Sequence, residues 1–362
     1  MRFLILLVML AVVGAGVVEW GNAAWDAPGL PAPSGNETVV MIKPHTRTHD
    51  IAATFEKKGL IKSGLLFELD LRLRGLTGQL KAGEYAIPNR ASMKAIADIL
   101  TGGKSIQHKL TVAEGLTSEM VWKLVQADKV LTGDAGPVPA EGTLLPETYL
   151  FTRGETRTGL LAQMAAAQQK FLRSRWQTRA ANLPFKTMAE AVTLASIVEK
   201  ETALPAERPH IAGLFINRLK VGMRLQSDPT IIYGITKGSP LGRGIRASEI
   251  EAATPFNTYV IAGLPPTPIA NPGKDAIAAV LNPQETDDLF FVATGKGGHV
   301  FSATISEHAR NVAAFRAMER AAARQVRESE RLATPDVTVP EASAPILPSA
   351  NHAKAHRRRV RH

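Results

Sequence analysis

The sequence predicts an α+β protein, and three observations carry that reading. A short apolar strand, a turn and an amphipathic helix recur loosely at "VVMIKPHTRTHDIAATF", "GEYAIPNRASMKAIADIL" and "KLTVAEGLTSEMVWKLV". The stretches "LASIVEKET" and "GLFINRLK" have helical spacing of apolar residues. Further on, "DDLFFVATGKGGHVFSATISEHARNVAAF" reads as a β-hairpin turning on Gly-Lys-Gly-Gly and followed by a helix. With 362 residues, 45% of them apolar, the chain can bury two modest domains plus appendages. It has no cysteine, which excludes disulfides and thiolate metal sites. The formal charge of +10 gathers at the far end, around Lys354, Arg357, Arg358, Arg359 and Arg361. The pI of 9.8 is therefore poor evidence for a nucleic-acid partner, and none is expected.

Taken in order, residues 1–22 are expected to anchor the chain. Phe3 to Val18 carries no charge and sits near the lower limit for a membrane span, with Arg2 before it and Trp20 suited to the interface. The rival reading is a cleaved signal peptide, for which Gly21-Asn22-Ala23 is a passable context. Either reading places the rest of the chain outside the cytoplasm. Residues 23–37, rich in proline and glycine, are expected to be a linker. The three strand–helix copies are grouped as one compact module over 38–131, with helices starting near Thr48, Ser92 and Thr117 or Ser118. His45, His49 and His108 lie near turns and are read as solvated. Residues 132–143 are expected to be a second linker, 144–325 a larger mixed α+β domain, and 326–362 a disordered basic tail.

Within the larger domain, two glutamates interrupt an apolar helix that Pro205 should close soon after Thr202. At about 100° per residue, Glu201 falls over Val198, Ile197 and Leu194, and Glu199 over Ser196, Ala195 and Val192. Glu201 is thus expected on the buried stripe and Glu199 at its edge. Desolvation and the helix C-terminus both favour a protonated carboxyl at Glu201, the state a general acid needs. The alternative is an ion pair with Arg208 or another cation, which would keep the carboxylate charged. Downstream, "MRLQSDPTIIYG" gathers Gln226, Ser227, Asp228 and Tyr233, either as hydrogen-bonding groups for a sugar polymer or as an ordinary Ser-Asp-Pro turn. Asn257 and Tyr259 precede a loop rich in proline and glycine, and either bind ligand or hold a turn and the core. His299 and His308 could move protons or bind metal, but lack a third ligand at suitable spacing, so structural or solvated roles are expected. The Gly-Lys-Gly-Gly turn lacks the context of a phosphate loop.

"ASIVEKET", "FINRLKVGMRLQSDPTIIYG", "NTYVIAGLPPTPIANPG" and "FFVATGKGGHVFSATISEH" together resemble the endolytic murein transglycosylases, the MltG or YceG-like family. The resemblance runs from about Thr38 to Phe315. It implies an N-terminal anchor, a LysM-like module and a lytic domain on the periplasmic side of the inner membrane. It implies cleavage of the MurNAc-GlcNAc bond within nascent peptidoglycan strands, leaving 1,6-anhydro-MurNAc ends and terminating elongation, with no metal or organic cofactor. It implies Glu201 as the catalytic carboxyl, and Gln226, Asp228, Asn257 and Tyr259 as sugar-binding residues. It also implies cooperation with penicillin-binding proteins or other glycan synthases. Glu147, in "LLPETY", stands where the family more often has Asp. A glycan hydrolase using Glu199 or Asp228 as second carboxylate, and a non-catalytic wall-binding scaffold, are the alternatives.

Overall fold

The computed structural model describes residues 2–31 and 35–333, and these form an α+β protein with three apolar cores in series. Helix α1 (Arg2–Asp26) leads into the first. Strand β1 (Glu37–Ile42), α2 (Thr48–Lys57), α3 (Gly64–Leu73), β2 (Gly83–Pro88) and α4 (Met93–Gly102) complete it. The strands pair antiparallel, Glu37 opposite Pro88 and Ile42 opposite Gly83. Alternation turns Val40, Ile42, Tyr85 and Ile87 onto the helices, where Phe55, Phe67, Leu71, Ile96 and Leu100 are buried. Ser92 caps α4 by accepting from Ala95 N–H, and Gly103, at φ 67°, ends it in the left-handed region. Helix α2 starts at Thr48 without a side-chain cap.

The expected linker over 23–37 begins later than the sequence indicates. Helix α1 continues to Asp26, and Trp25 is a core residue only 3% exposed. It stacks on Phe67 at 6.0 Å, and the Arg74 guanidinium lies 4.6 Å above its ring. Tryptophan brings a large apolar area that favours burial over solvent, and that outweighs the prolines nearby. Gly29 then passes so close to the chain that a Cβ would lie 2.2 Å from Ala91 O, which requires glycine there.

The third strand–helix copy packs apart from the first two. Strand β3 (His108–Thr111) pairs antiparallel with β4 (Thr148–Phe151), and α5 (Ser118–Ala127) packs on α6 (Arg157–Gln177). Val121, Val125, Leu144, Phe151, Leu160 and Met164 share this second core. Strand pairing across 132–143 decides the grouping, and local periodicity cannot report it. That segment is a packed loop: Ala135 is buried, and Trp122 Nε1 donates to Gly136 O at 2.9 Å. His108 is not solvated. Its Nε2 lies 2.7 Å from Glu84 Oε2, while Arg153 Nε donates to Glu84 Oε1 at 2.8 Å. Burial opposes the charge on Glu84, yet these two hydrogen bonds outweigh it and hold the carboxyl below its usual range. His49 is exposed and pairs with Glu68 at 2.9 Å.

The third core surrounds α7 (Met188–Glu201), which starts with a capping box between Thr187 and Glu190. Against it lie α8 (Arg208–Lys220), entered through a 3₁₀ turn at Pro205–Glu207, then α9 (Asp228–Thr236) and α11 (Lys274–Leu281), while a short α10 (Ala247–Glu251) between the last two has no buried residue. Buried Asn271 ties this core to the second, its Oδ1 accepting from Leu144 N–H at 3.0 Å and its Nδ2 donating to Leu116 O at 3.1 Å. The hairpin β5 (Phe290–Ala293) and β6 (His299–Ser302) precedes α12 (Ile305–Ala333). Residues 326–333, expected in the tail, continue α12. The rest of the expected basic tail lies outside the described residues.

Candidate active site

A cleft of about 420 Å³ opens where the C-terminus of α7, the N-terminus of α9, strand β5 and the first turns of α12 converge. Glu201 lines it, with Gln226, Asp228 and Tyr259. Arg218, Phe290, Phe291, Ile305 and His308 complete the wall. Four of the five site residues expected from sequence therefore meet in one cavity.

Glu199 departs from its expected place at the helix edge, whereas Glu201 is desolvated as expected. Glu199 is the buried one: its Oε1 accepts from Arg208 Nη2 at 2.8 Å and its Oε2 from Gly273 N–H at 2.9 Å. Glu201, the last residue of α7, borders the cleft and is partly exposed to it. Spacing misplaces Glu199 because every residue from Ala191 to Glu199 is buried. A helix packed on all sides has no single apolar stripe. The ion pair weighed for these glutamates does form with Arg208, and Glu199 makes it.

The Glu201 carboxyl is pushed up to about 7. Desolvation is the main cause and the Asp228 charge adds to it, while a hydrogen bond from Ser227 and the charges of His299 and Arg218 oppose it. Ser227 Oγ donates to Glu201 Oε1 and fixes one carboxyl oxygen. Ser227 is itself buried, its N–H donating to Thr258 Oγ1 at 2.9 Å. Gln226 next to it has φ 51°, a left-handed conformation unusual for a side-chain-bearing residue, and its N–H donates to Thr258 O at 3.1 Å. Tyr259 Oη donates to Asp228 Oδ1 at 2.7 Å. Burial and that hydrogen bond both raise the Tyr259 phenol.

Asn257 is not in the cleft. It is 1% exposed, and its Nδ2 donates to Glu249 O, Ile250 O and Ala252 O at 3.2, 2.9 and 2.8 Å. Its Oδ1 accepts from Tyr259 N–H at 3.0 Å, so Asn257 closes the end of α10 and positions Tyr259. Asn257→Ala removes these side-chain hydrogen bonds, and we expect a loss of about 1–3 kcal/mol in denaturant melts. A melt unchanged from wild type would contradict that role.

Beyond the five expected site residues, Arg218 and His308 line the cleft and Ser227 binds Glu201. Arg218 is buried, with Nε donating to Leu289 O at 2.7 Å and Nη1 to Leu225 O at 2.6 Å. Its signal was a lone cation on the face of α8 that carries Leu214 and Phe215. Ser227 hid inside a turn-like Ser-Asp-Pro. His308 stacks on Phe290 at 5.2 Å, and its Nδ1 is buried without a hydrogen-bond partner. Burial and the nearby Arg218 charge lower its basicity. His299 is structural: its Nδ1 lies 2.7 Å from Glu207 Oε2, and its N–H donates to Glu207 Oε1 at 2.8 Å. Glu147 lies away from the cleft and is paired with Lys274, which holds its carboxyl low.

Residues 40–314 match the YceG-like family. The chain is 31% identical over 357 residues to the endolytic murein transglycosylase of Streptococcus pneumoniae serotype 2 (strain D39), an alignment covering 85% of this chain and 64% of that protein. It therefore spans less than two thirds of the pneumococcal relative. It is 31% identical over 291 residues to the protein of that name from Bacillus subtilis (strain 168), covering 71% of this chain and 79% of the relative. A solved yceG-like protein from Listeria monocytogenes shares 26% identity, over 76% of this chain and 99% of that one, at a TM-score of 0.48. Phe3–Asp26 is long and apolar enough to cross a membrane, and none of its most apolar window is buried. The arrangement is that of a single-pass inner-membrane protein with the cleft on the periplasmic side.

Proposed function

The chain belongs to the YceG-like family, and on that premise we propose that it is an endolytic lytic transglycosylase of peptidoglycan. It would cleave the MurNAc-GlcNAc bond inside nascent glycan strands, leave 1,6-anhydro-MurNAc ends and so end elongation beside the glycan synthases. The carrying observation is Glu201, a carboxyl poised near neutrality in a cleft rimmed by hydrogen-bonding side chains and aromatic rings.

The chemistry needs one such group. Protonated Glu201 gives its proton to the glycosidic oxygen, and the C1–O bond breaks. The C6 hydroxyl of the same muramoyl residue attacks C1, and its proton passes to the Glu201 carboxylate, which restores the acid. An internal nucleophile makes a second carboxylate to recruit water unnecessary. Ser227 holds one oxygen of Glu201, and the buried Arg218 supplies positive charge nearby. Gln226, Asp228 and Tyr259 are the proposed contacts to the sugar. Asp228 shares the cleft with Glu201, which keeps a two-carboxylate hydrolase as the second reading. Glu199 is occupied by Arg208 and Gly273. The β–α–α–β unit from Glu37 to Pro88 is the part we propose as LysM-like.

Digestion of purified glycan strands with mass detection separates the readings. Transglycosylation leaves an anhydro end lighter by one water than the hydrolytic end, and a heavier product would replace the proposal by the hydrolase. The pH profile is a further expectation. Glu201 must start protonated, so kcat/KM should fall as pH rises through about 7. A rate still climbing at pH 9 would remove Glu201 as the acid.

A further inference from the structure

We propose that the first domain does not stand clear of the bilayer but lies in its outer interface, with the leucine face of α3 immersed beside the anchor helix. The first support is length. The uncharged run Phe3 to Val18 rises about 24 Å at 1.5 Å per residue. That is about 6 Å short of the hydrocarbon thickness. The apolar layer therefore reaches Val18 or beyond, and the headgroup layer covers the next turns, including Trp20.

The second support is what packs at that level. Two apolar grooves run between α1 and α3. One, of about 310 Å³, includes Val17, Val18 and Trp20 of the anchor with Leu66, Leu69 and Leu73 of α3. The other, of about 500 Å³, includes Trp20 and Ala24 with Leu65, Leu66 and Leu69. The leucines that rim them are exposed on one helical face: Leu65 at 78%, Leu69 at 48% and Leu73 at 76%. Scattered surface leucines need no explanation, but a stripe continuous with a membrane span does. Lys62 lies beside the stripe, where its ammonium can reach lipid phosphates, while Arg72 pairs with Glu68 at 3.0 Å.

The third support is rigidity. Arg74 Nη2 donates to Asn22 Oδ1 at 2.8 Å and the same guanidinium covers Trp25, while Gly29 N–H donates to Arg90 O at 3.1 Å. Helix α1 is thus fastened to the domain on both sides of its end, so an upright span carries α3 down to the interface with it. A water-facing α3 would require these contacts to break. Bilayer lipid is the occupant argued for, because the stripe continues a surface that already faces lipid.

The test uses the full chain in lipid nanodiscs. The sequence has no cysteine, so Leu65→Cys, Leu69→Cys and Leu73→Cys can each carry one environment-sensitive fluorophore. Val18→Cys serves as the immersed reference, and Leu150→Cys, exposed on β4, as the aqueous one. The expected result is loss of fluorescence with acyl-chain spin-labelled phosphatidylcholine at the α3 positions, as at Val18, and protection from aqueous iodide. Leu150 should keep its signal in lipid and lose it to iodide. Quenching at Val18 with α3 behaving like Leu150 would overturn the proposal. So would α3 labels shielded from both quenchers, which would indicate a protein partner or a second copy instead. The outcome is independent of whether glycan is cleaved.

Discussion

Glu201→Gln should cut glycan cleavage by about a thousandfold or more while making the protein more stable above neutral pH. The amide keeps the shape and can still meet Ser227, but it has no proton to give to a leaving oxygen. The stability change follows from where the carboxyl titrates. Its folded value of about 7 lies above the ordinary carboxylate range. Its contribution is therefore fully present below the unfolded value and is lost as pH rises through about 7. The uncharged variant avoids that loss, so its advantage should grow between about pH 4.5 and 7 and then level off. At pH 8 the gain should be on the order of 2 kcal/mol. Mass spectrometry of digests and paired melts at pH 5 and pH 8 provide both readings. A variant that still produced anhydro ends at the wild-type rate would sink the assignment. One that retained full function in cells would favour the wall-binding scaffold.

Arg208→Met should be the mirror image, costing about 3–5 kcal/mol of stability. The Arg208 side chain is buried and meets Glu199 at 2.8 Å, Glu114 at 2.9 Å and Asp275 at 3.7 Å. These partners come from α7, from the loop before α5 and from α11. Without the guanidinium, the Glu199 carboxyl, already raised by burial, is left in an apolar core with only the Gly273 N–H as hydrogen-bond donor. Replacing both members, Arg208→Met with Glu199→Met, should recover much of the loss, because an apolar pair leaves no buried charge. Denaturant unfolding checks both, and a single variant within 1 kcal/mol of wild type would contradict the account. Glu199 therefore supports the fold and Glu201 is the residue proposed for the chemistry, although only one residue separates them.

That distinction shows what the sequence could and could not convey. Helix starts were legible because they are local: Ser92 and Thr117 each accept an N–H three residues on, as the pattern requires. The hairpin and the end of α7 at Glu201 were legible for the same reason. That Glu199 is buried was not, because burial depends on what surrounds the helix. The periodicity of α7 assumes one wet face, and α6, α8, α9 and α11 leave it almost none. The grouping of β3 and α5 failed likewise, since β3 finds its partner in β4, far along the chain. Asn257 and Tyr259 were taken together as binding residues. The structure separates them into a residue that holds backbone and one that faces the cleft.

The wall of the cleft draws on residues from Glu201 to His308, the last of them on the first turns of α12. A chain that crosses a membrane behind an N-terminal anchor emerges in order. Glu201 therefore reaches the outside well before the helix that completes its pocket. Until Ile305 and His308 take their places, the cleft wall near Glu201 is incomplete. On the proposed function, a chain that lacks α12 should cut glycan more slowly, because Ile305 and His308 are missing from the cleft wall.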